Sequence, residues 1–321
     1  MPESRIARRQ FLARTSLAAA GLALAPGLLK AQDTGMGKPL FKISLAQWSL
    51  NNHFFKFLGT RQNDLEPLDP LDFPKIARNE FGIEACEYVN QFYPGKAEDK
   101  AYVAELKKRA ADLGVRSVLI MIDNEGSIGD PQEARRMQTV ENHKKWVGMA
   151  KELGCHSIRV NARSSGSYEE QQKLAADGLR KLTDYGNSQE INVIVENHGG
   201  LSSNGEWLVG VMKMVNDPHC GTLPDFGNFT VAPGQVYDRY KGITEMIPYA
   251  KGLSAKTYDF DEKGEETTID VKRIIKIAMA ANYHGYVGIE FEGRRLPLKE
   301  GVRKTKALLE KVRDEIGKET A

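Results

Sequence analysis

The chain has 321 residues, 45 Lys/Arg against 43 Asp/Glu, and three cysteines. Setting aside the five Lys/Arg and single Glu of residues 1–31 turns the net charge from +2 into −2, which favours neither nucleic acid nor an anionic membrane as a partner. The roughly 290 residues that remain suffice for one large α/β domain with a full core. An odd cysteine count without paired spacing argues against a disulfide framework, so Cys86, Cys155 and Cys220 read as small buried hydrophobes.

The first 31 residues read as a leader. Arg5, Arg8 and Arg9 form a basic head, Arg8-Arg9-Gln10-Phe11-Leu12 has the form of a twin-arginine signal, and Ser16 to Leu29 is apolar up to a cleavage point at Ala31. The apolar stretch is too short for a comfortable membrane span, so no stable anchor is expected. The expected layout is a signal at 1–31, a flexible tail at 32–40 and one catalytic domain at 41–321. Twin-arginine machinery exports folded proteins, which places this chain in the periplasm.

Strand-like runs then alternate with helical ones. Strands are expected at Phe41–Trp48, Ile83–Val89, Ser117–Ile122, Ser157–Asn161, Ile191–Glu196, Gly221–Pro224, Gly252–Lys256 and Gly285–Glu290. Helices are expected at Leu71–Glu80, Ala97–Leu113, Pro131–Leu153, Tyr168–Gln189, Asn204–Val215, Val236–Ile247, Ile269–Ala281 and Leu298–Ile316. Eight alternations favour a closed (β/α)8 TIM barrel over a doubly wound sheet. No G-x-G-x-x-G follows the first strand, which weakens a dinucleotide fold further. Irregular stretches at Leu50–Pro70 and Asp261–Thr268 follow strands, where barrel enzymes place loops over substrate.

Polar residues gather after the strands rather than before them. In order these are Gln47 and His53, Glu87 and Asn90, Asp123, Asn161, Glu196 and His198, Asp225 and Asn228, Lys256 and Asp261, and Glu290 and Glu292. His156, His219 and His284 precede strands and His143 lies in a helix, leaving His53 and His198 to reach the mouth. Side chains alternate along a strand, so Glu196 and His198 share a face, as do Ser254 and Lys256, and Glu290 and Glu292. Glu196, Asp225 and Glu290 then converge from the fifth, sixth and eighth strands. Bare, such a cluster repels itself, and a hard divalent cation such as Mn²⁺ or Mg²⁺ relieves it.

The segments VENHGGLSSN, GTLPDFGNF, AKTYDFDEKGEE and GYVGIEFEG resemble the xylose isomerase-like TIM barrels of the sugar phosphate isomerase/epimerase superfamily, over about Phe41 to Ile316. The resemblance implies one divalent metal (Mn, Mg, Co or Zn) held by Glu196, Asp225 and Glu290. Two histidines of that pattern are missing, Ser254 standing at the seventh-strand position and Asn228 three residues after the sixth-strand acid. Either the metal keeps a water or takes His198, or Lys256 supplies the positive charge in a metal-free site.

The expected activity is isomerisation or epimerisation of a keto- or aldo-sugar through an ene-diolate, with the metal polarising the carbonyl. Glu196 and Glu290 exchange the proton, while Lys256 and His198 hold the oxyanion. Glu87, Asn161, Asn228, His53 and Glu292 bind substrate; Trp48, Phe54, Tyr88, Phe229, Tyr258 and Phe291 offer apolar faces to a sugar. The competing readings are a lyase on a 3-keto-glycoside and a non-catalytic carbohydrate-binding barrel. A zinc endonuclease would need several histidines at strand ends and a basic mouth.

Overall fold

The computed structural model describes residues 39–320; the expected leader and the expected tail up to residue 38 lie outside the described residues. Eight parallel strands form the wall of a barrel: β1 (Lys42–Ala46), β2 (Ala85–Val89), β3 (Arg116–Met121), β4 (Ser157–Val160), β5 (Asn192–Glu196), β6 (Cys220–Leu223), β9 (Leu253–Thr257) and β10 (Tyr286–Phe291). The short strands β7 (Thr230–Ala232) and β8 (Gln235–Val236) make a separate antiparallel hairpin. The ladder runs β6-β5-β4-β3-β2-β1-β10-β9.

The two ends of that ladder meet at a seam. Lys251 N donates to Thr222 O, Ser254 N to Pro224 O and Phe226 N to Ser254 O, each at 3.0 Å. Bridges between Thr222 and Ala250 and between Asp225 and Ser254 complete the closure. Pro224 has no N–H to give to a ladder, and its carbonyl instead accepts from Ser254 N.

The strands are apolar on both faces because one faces the barrel interior and the other the surrounding helices. Val193, Ile194 and Val195 are each fully buried on β5. The helices are α1 (Asn51–Phe57), α2 (Phe73–Phe81), α3 (Lys100–Asp112), α4 (Glu133–Leu153), α5 (Tyr168–Ser188), α6 (Gly205–Val215), α7 (Arg239–Met246), α8 (Val271–Ala280) and α9 (Leu298–Thr320).

Their ends follow from local chemistry. Asp99, Asn204, Asp238 and Asp270 accept backbone N–H bonds at the starts of α3, α6, α7 and α8, and Ser167 with Glu170 makes a reciprocal capping box on α5. On α8 the expected face, Val271, Ile274, Ile275 and Ala278, is buried against the wall. Each of those isoleucines contributes roughly 1.5–3 kcal/mol by burial.

Every expected strand and helix is present with shifted ends. Two additions were not expected. The stretch after β1 carries α1, and the stretch after β6 carries the hairpin. The three cysteines are free and buried, as expected. Leu40, placed in the tail by the sequence, packs against the core. Among the described residues no helix is long and apolar enough to cross a membrane.

Candidate functional site

Glu196 ends β5, Asp225 follows Pro224 at the end of β6, and Glu290 sits near the end of β10. Each is nearly or fully closed from solvent, and the three offer carboxylate oxygens all within 4.8 Å of one another. The strand alternation that puts Val195 toward the helices puts Glu196 inward. The turn at Asp225 is locally built: its Oδ1 accepts from Gly227 N and Asn228 N, both at 2.8 Å. Asn197 holds the same turn from β5, its Nδ2 donating to Asp225 O and Asn228 O at 3.0 Å and its Oδ1 accepting from Asp225 N at 2.7 Å.

Two residues of β9 enter the cluster. Ser254 Oγ lies 2.8 Å from Asp225 Oδ2 and 2.9 Å from Glu290 Oε2, bridging two acids. Lys256 Nζ is 3.2 Å from Glu290 Oε1, 3.7 Å from Asp225 Oδ2 and 3.4 Å from Glu292 Oε1, and donates to Asn228 Oδ1 at 3.2 Å. Its stem passes Gly227, where an added Cβ would stand 2.9 Å from Lys256 Cδ and 2.5 Å from the Tyr258 hydroxyl. Glycine is needed there for that close approach.

A second cation arrives from β4. Arg159 is 4% exposed; its Nη1 donates to Asp123 Oδ1 at 2.8 Å, and its Nε stands 2.8 Å from Glu196 Oε2. The last contact is an ion pair by distance but not aligned for hydrogen bonding, so neither atom has a directed partner. Arg159 was not among the expected site residues. The signal was available: Ser157, Arg159 and Asn161 share one face of β4.

The electrostatics follow from burial set against these cations. Burial pushes the Glu196 and Asp225 carboxyls up to about 7, although Arg159 and Lys256 pull Glu196 down and Lys256 pulls Asp225 down. For Glu290 the same burial is outweighed, chiefly by Lys256 and then Arg159, and the carboxyl falls below its ordinary value. Lys256 and Arg159 are both held protonated, their own desolvation overcome by the surrounding acids. Burial, helped by Arg159 and Lys256, lowers His198, favouring its neutral form, and its Nδ1 has no hydrogen-bond partner.

The other expected site residues divide. Asn228 Nδ2 donates to Glu196 Oε1 at 3.0 Å, and Asn161 Nδ2 to Asp123 Oδ1 at 2.7 Å. Trp48 Nε1 donates to Glu292 Oε1 at 2.7 Å and its ring stacks on Phe92. These four half-buried groups and Tyr258 are within or beside the mouth. His53 is buried on α1 with Nδ1 2.7 Å from Glu66 O, so it ties down the following loop rather than facing the cluster. Glu87 lies inside the wall, fully buried, accepting from Ser44 Oγ at 2.6 Å; it does not open to the mouth. Phe54, Tyr88, Phe229 and Phe291 are core side chains and present no face to a ligand. Of the remaining histidines, His143 is buried on α4 with Nδ1 2.7 Å from Thr139 O, and His156 pairs with Ser157.

The donor set fits a divalent metal of the hard, oxygen-seeking kind. Three buried carboxylates converge, and Glu196 Oε2 is left without a directed hydrogen bond. No histidine joins the set, because Ser254 occupies the β9 position.

A closed eight-stranded barrel with an acidic cluster at the carboxyl ends of its strands defines a class, and the sequence places the chain in it. The profile of the xylose isomerase-like TIM barrel family matches residues 77–312, and the chain belongs to that family. Several solved structures share the fold. The 3-keto-D-glucoside 4-epimerase from E. coli is 16% identical, with 84% of this chain and 99% of that chain covered at a TM-score of 0.65. A D-psicose 3-epimerase solved in the presence of D-fructose is 12% identical, covering 85% and 99% at 0.64. A xylose isomerase-like TIM barrel protein from Mycobacterium smegmatis, in complex with magnesium, is 17% identical, covering 85% and 97% at 0.63. No curated protein matches the chain in sequence.

Proposed function

We propose that the protein is a sugar isomerase or epimerase that removes and returns a proton next to the carbonyl of a keto-sugar. The observation that carries this reading is the convergence of Glu196, Asp225 and Glu290 on a point also reached by the Lys256 ammonium. Acids for proton transfer and a cation for the developing oxyanion are the two requirements of that chemistry. Epimerase activity among proteins of the same fold supports the substrate class.

Glu196 and Glu290 flank the reacting carbons and act as the base and acid pair. Lys256 and the neutral His198 hold the negative oxygen, and Asn228, between Glu196 and Lys256, orients a hydroxyl. Trp48, Asn161 and Glu292 bind the ring at the mouth. Glu196, Asp225 and Glu290 would hold a divalent metal, which when bound supplies Lewis-acid polarisation of a sugar carbonyl. The twin-arginine form of residues 8–12 supports export of the folded protein to the periplasm, where free sugars and glycosides are the accessible substrates. Replacing Arg8 and Arg9 by Lys should then retain the chain in the cytoplasm, as fractionation would read.

The decisive experiment is solvent deuterium uptake into keto-sugars, followed by NMR. Wild-type protein should exchange the α-proton, and Glu196→Gln and Glu290→Gln should each slow exchange at least a hundredfold. Equal exchange in both variants would falsify the assignment. Release of a substituent alongside exchange would make the protein the lyase instead. Adding Mg²⁺ or Mn²⁺ to chelator-treated protein should raise its melting temperature, by about 2.7 kcal/mol of stabilisation at a hundredfold excess over Kd. No shift with any divalent ion would remove the metal from this reading.

A further inference from the structure

Beside the cluster, on the rim of the barrel, lies a cavity of about 350 Å³ between the segment after β2 and the segment after β3. Asn90, Gln91, Pro94, Asp123, Lys145 and Trp146 line it. Its inner charges are already matched. Lys145 Nζ is 2.9 Å from Glu125 Oε1, which also accepts from Trp146 Nε1 at 2.7 Å, and Asp123 faces Arg159. Glu98, exposed at the outer lip, adds a negative charge that opposes a phosphorylated or carboxylated ligand. What the groove offers is the Gln91 amide and the Asp123 Oδ2 carboxylate oxygen beside the apolar edge of Pro94, the chemistry that takes an uncharged, hydroxylated ring.

Asp123 lines the groove and reaches the cluster through Arg159. Its Oδ1 accepts from Arg159 Nη1 at 2.8 Å and Asn161 Nδ2 at 2.7 Å, while Oδ2 is held by Gln91 Nε2 at 3.3 Å, a long bond. Asn90 fixes the Asp123 backbone with two bonds of 2.9 Å. Arg159 passes from Asp123 directly to Glu196. Building on the keto-sugar reading above, we infer that the rim groove is a subsite for a second sugar unit. The substrate is therefore a glycoside rather than a free monosaccharide, and Asp123 and Arg159 act as positioning residues that link the filled groove to Glu196. Binding of the remote ring then appears in kcat as well as in KM.

The test compares 3-keto-D-glucose with 3-ketocellobiose in the deuterium-exchange assay on the full chain. The disaccharide should have at least about a tenfold higher kcat/KM, with part of the gain in kcat. Ala97→Trp, which fills the groove from another lining position, and Gln91→Ala, which removes an amide from its wall together with the contact to Asp123 Oδ2, should each shrink that ratio. A ratio near one in the unsubstituted protein, or one unmoved by both variants, overturns the subsite while leaving the epimerase reading intact. If neither probe exchanges, the epimerase reading falls, and calorimetric titration with cellobiose and glucose decides the groove by itself. Tighter cellobiose binding that Ala97→Trp abolishes upholds it; equal binding ends it.

Discussion

Glu87 and Glu290 point into the same barrel from neighbouring parts of its wall, both closed from solvent, yet their carboxyl groups are driven in opposite directions. Glu87 on β2 has Ser44 as its hydrogen-bond donor and one oxygen without a partner, so burial raises it to about 8. Gly288 of β10 leaves room for it, since a Cβ there would lie 2.5 Å from both carboxylate oxygens. Glu290 is as deeply buried but has Lys256 at 3.2 Å, and it stays ionised. Burial alone makes an acid hold its proton; a charge delivered by β9 reverses that. Glu87 and Glu290 differ by the closeness of a cation, not by exposure.

Removing the cation should break the contrast. Lys256→Met leaves three carboxylates facing one another, and proton exchange should fall about a thousandfold. Urea unfolding should show a loss of about 3–5 kcal/mol, the cost of breaking a buried ion pair. Stability equal to wild type would mean that the ammonium does not neutralise the acids.

Glu87→Gln sharpens the contrast from the other side. The folded protein keeps the Glu87 proton up to about pH 8, while the unfolded chain releases it near 4.5. Between those values the folded state binds the extra proton, so stability falls with rising pH, by about 1.4 kcal/mol per unit, until both states are ionised above 8. The glutamine variant should lack that slope and exceed wild type in stability at pH 8. Parallel stability–pH curves would refute a protonated Glu87.

The smallest expected effect is on the turn that presents Asp225. Asn197→Ala removes three hydrogen bonds from a fully buried side chain and should cost about 1–3 kcal/mol, read as a lowered Tm. An unchanged Tm would show that Asp225 is held by its own Asx turn and Ser254 alone.

The alternation of strands with helices was legible because each strand is a short apolar run and each helix carries a 3.6-residue face, as α8 illustrates. The acids at 196, 225 and 290 were legible because they fall at strand ends, where inward and outward positions can be counted. Glu87 was expected to bind substrate, but its carboxylate is fully buried and held by Ser44, a contact the sequence pattern does not show. His53 was drawn to the mouth by its place after a strand, but α1 forms there and directs the ring to Glu66 O. Arg159 escaped notice because a charged residue inside a strand looks solvent-facing until its partners, Asp123 and Glu196, are known.

The cylinder is sewn shut where its chemistry is gathered. Asp225 and Ser254 belong to the two staves that close the ring, and the hydroxyl that spans them also touches Glu290. Any thermal breathing that parts those staves therefore dismantles the acidic constellation with it. Engineering that tightens this join would fix the acids in place by the same stroke.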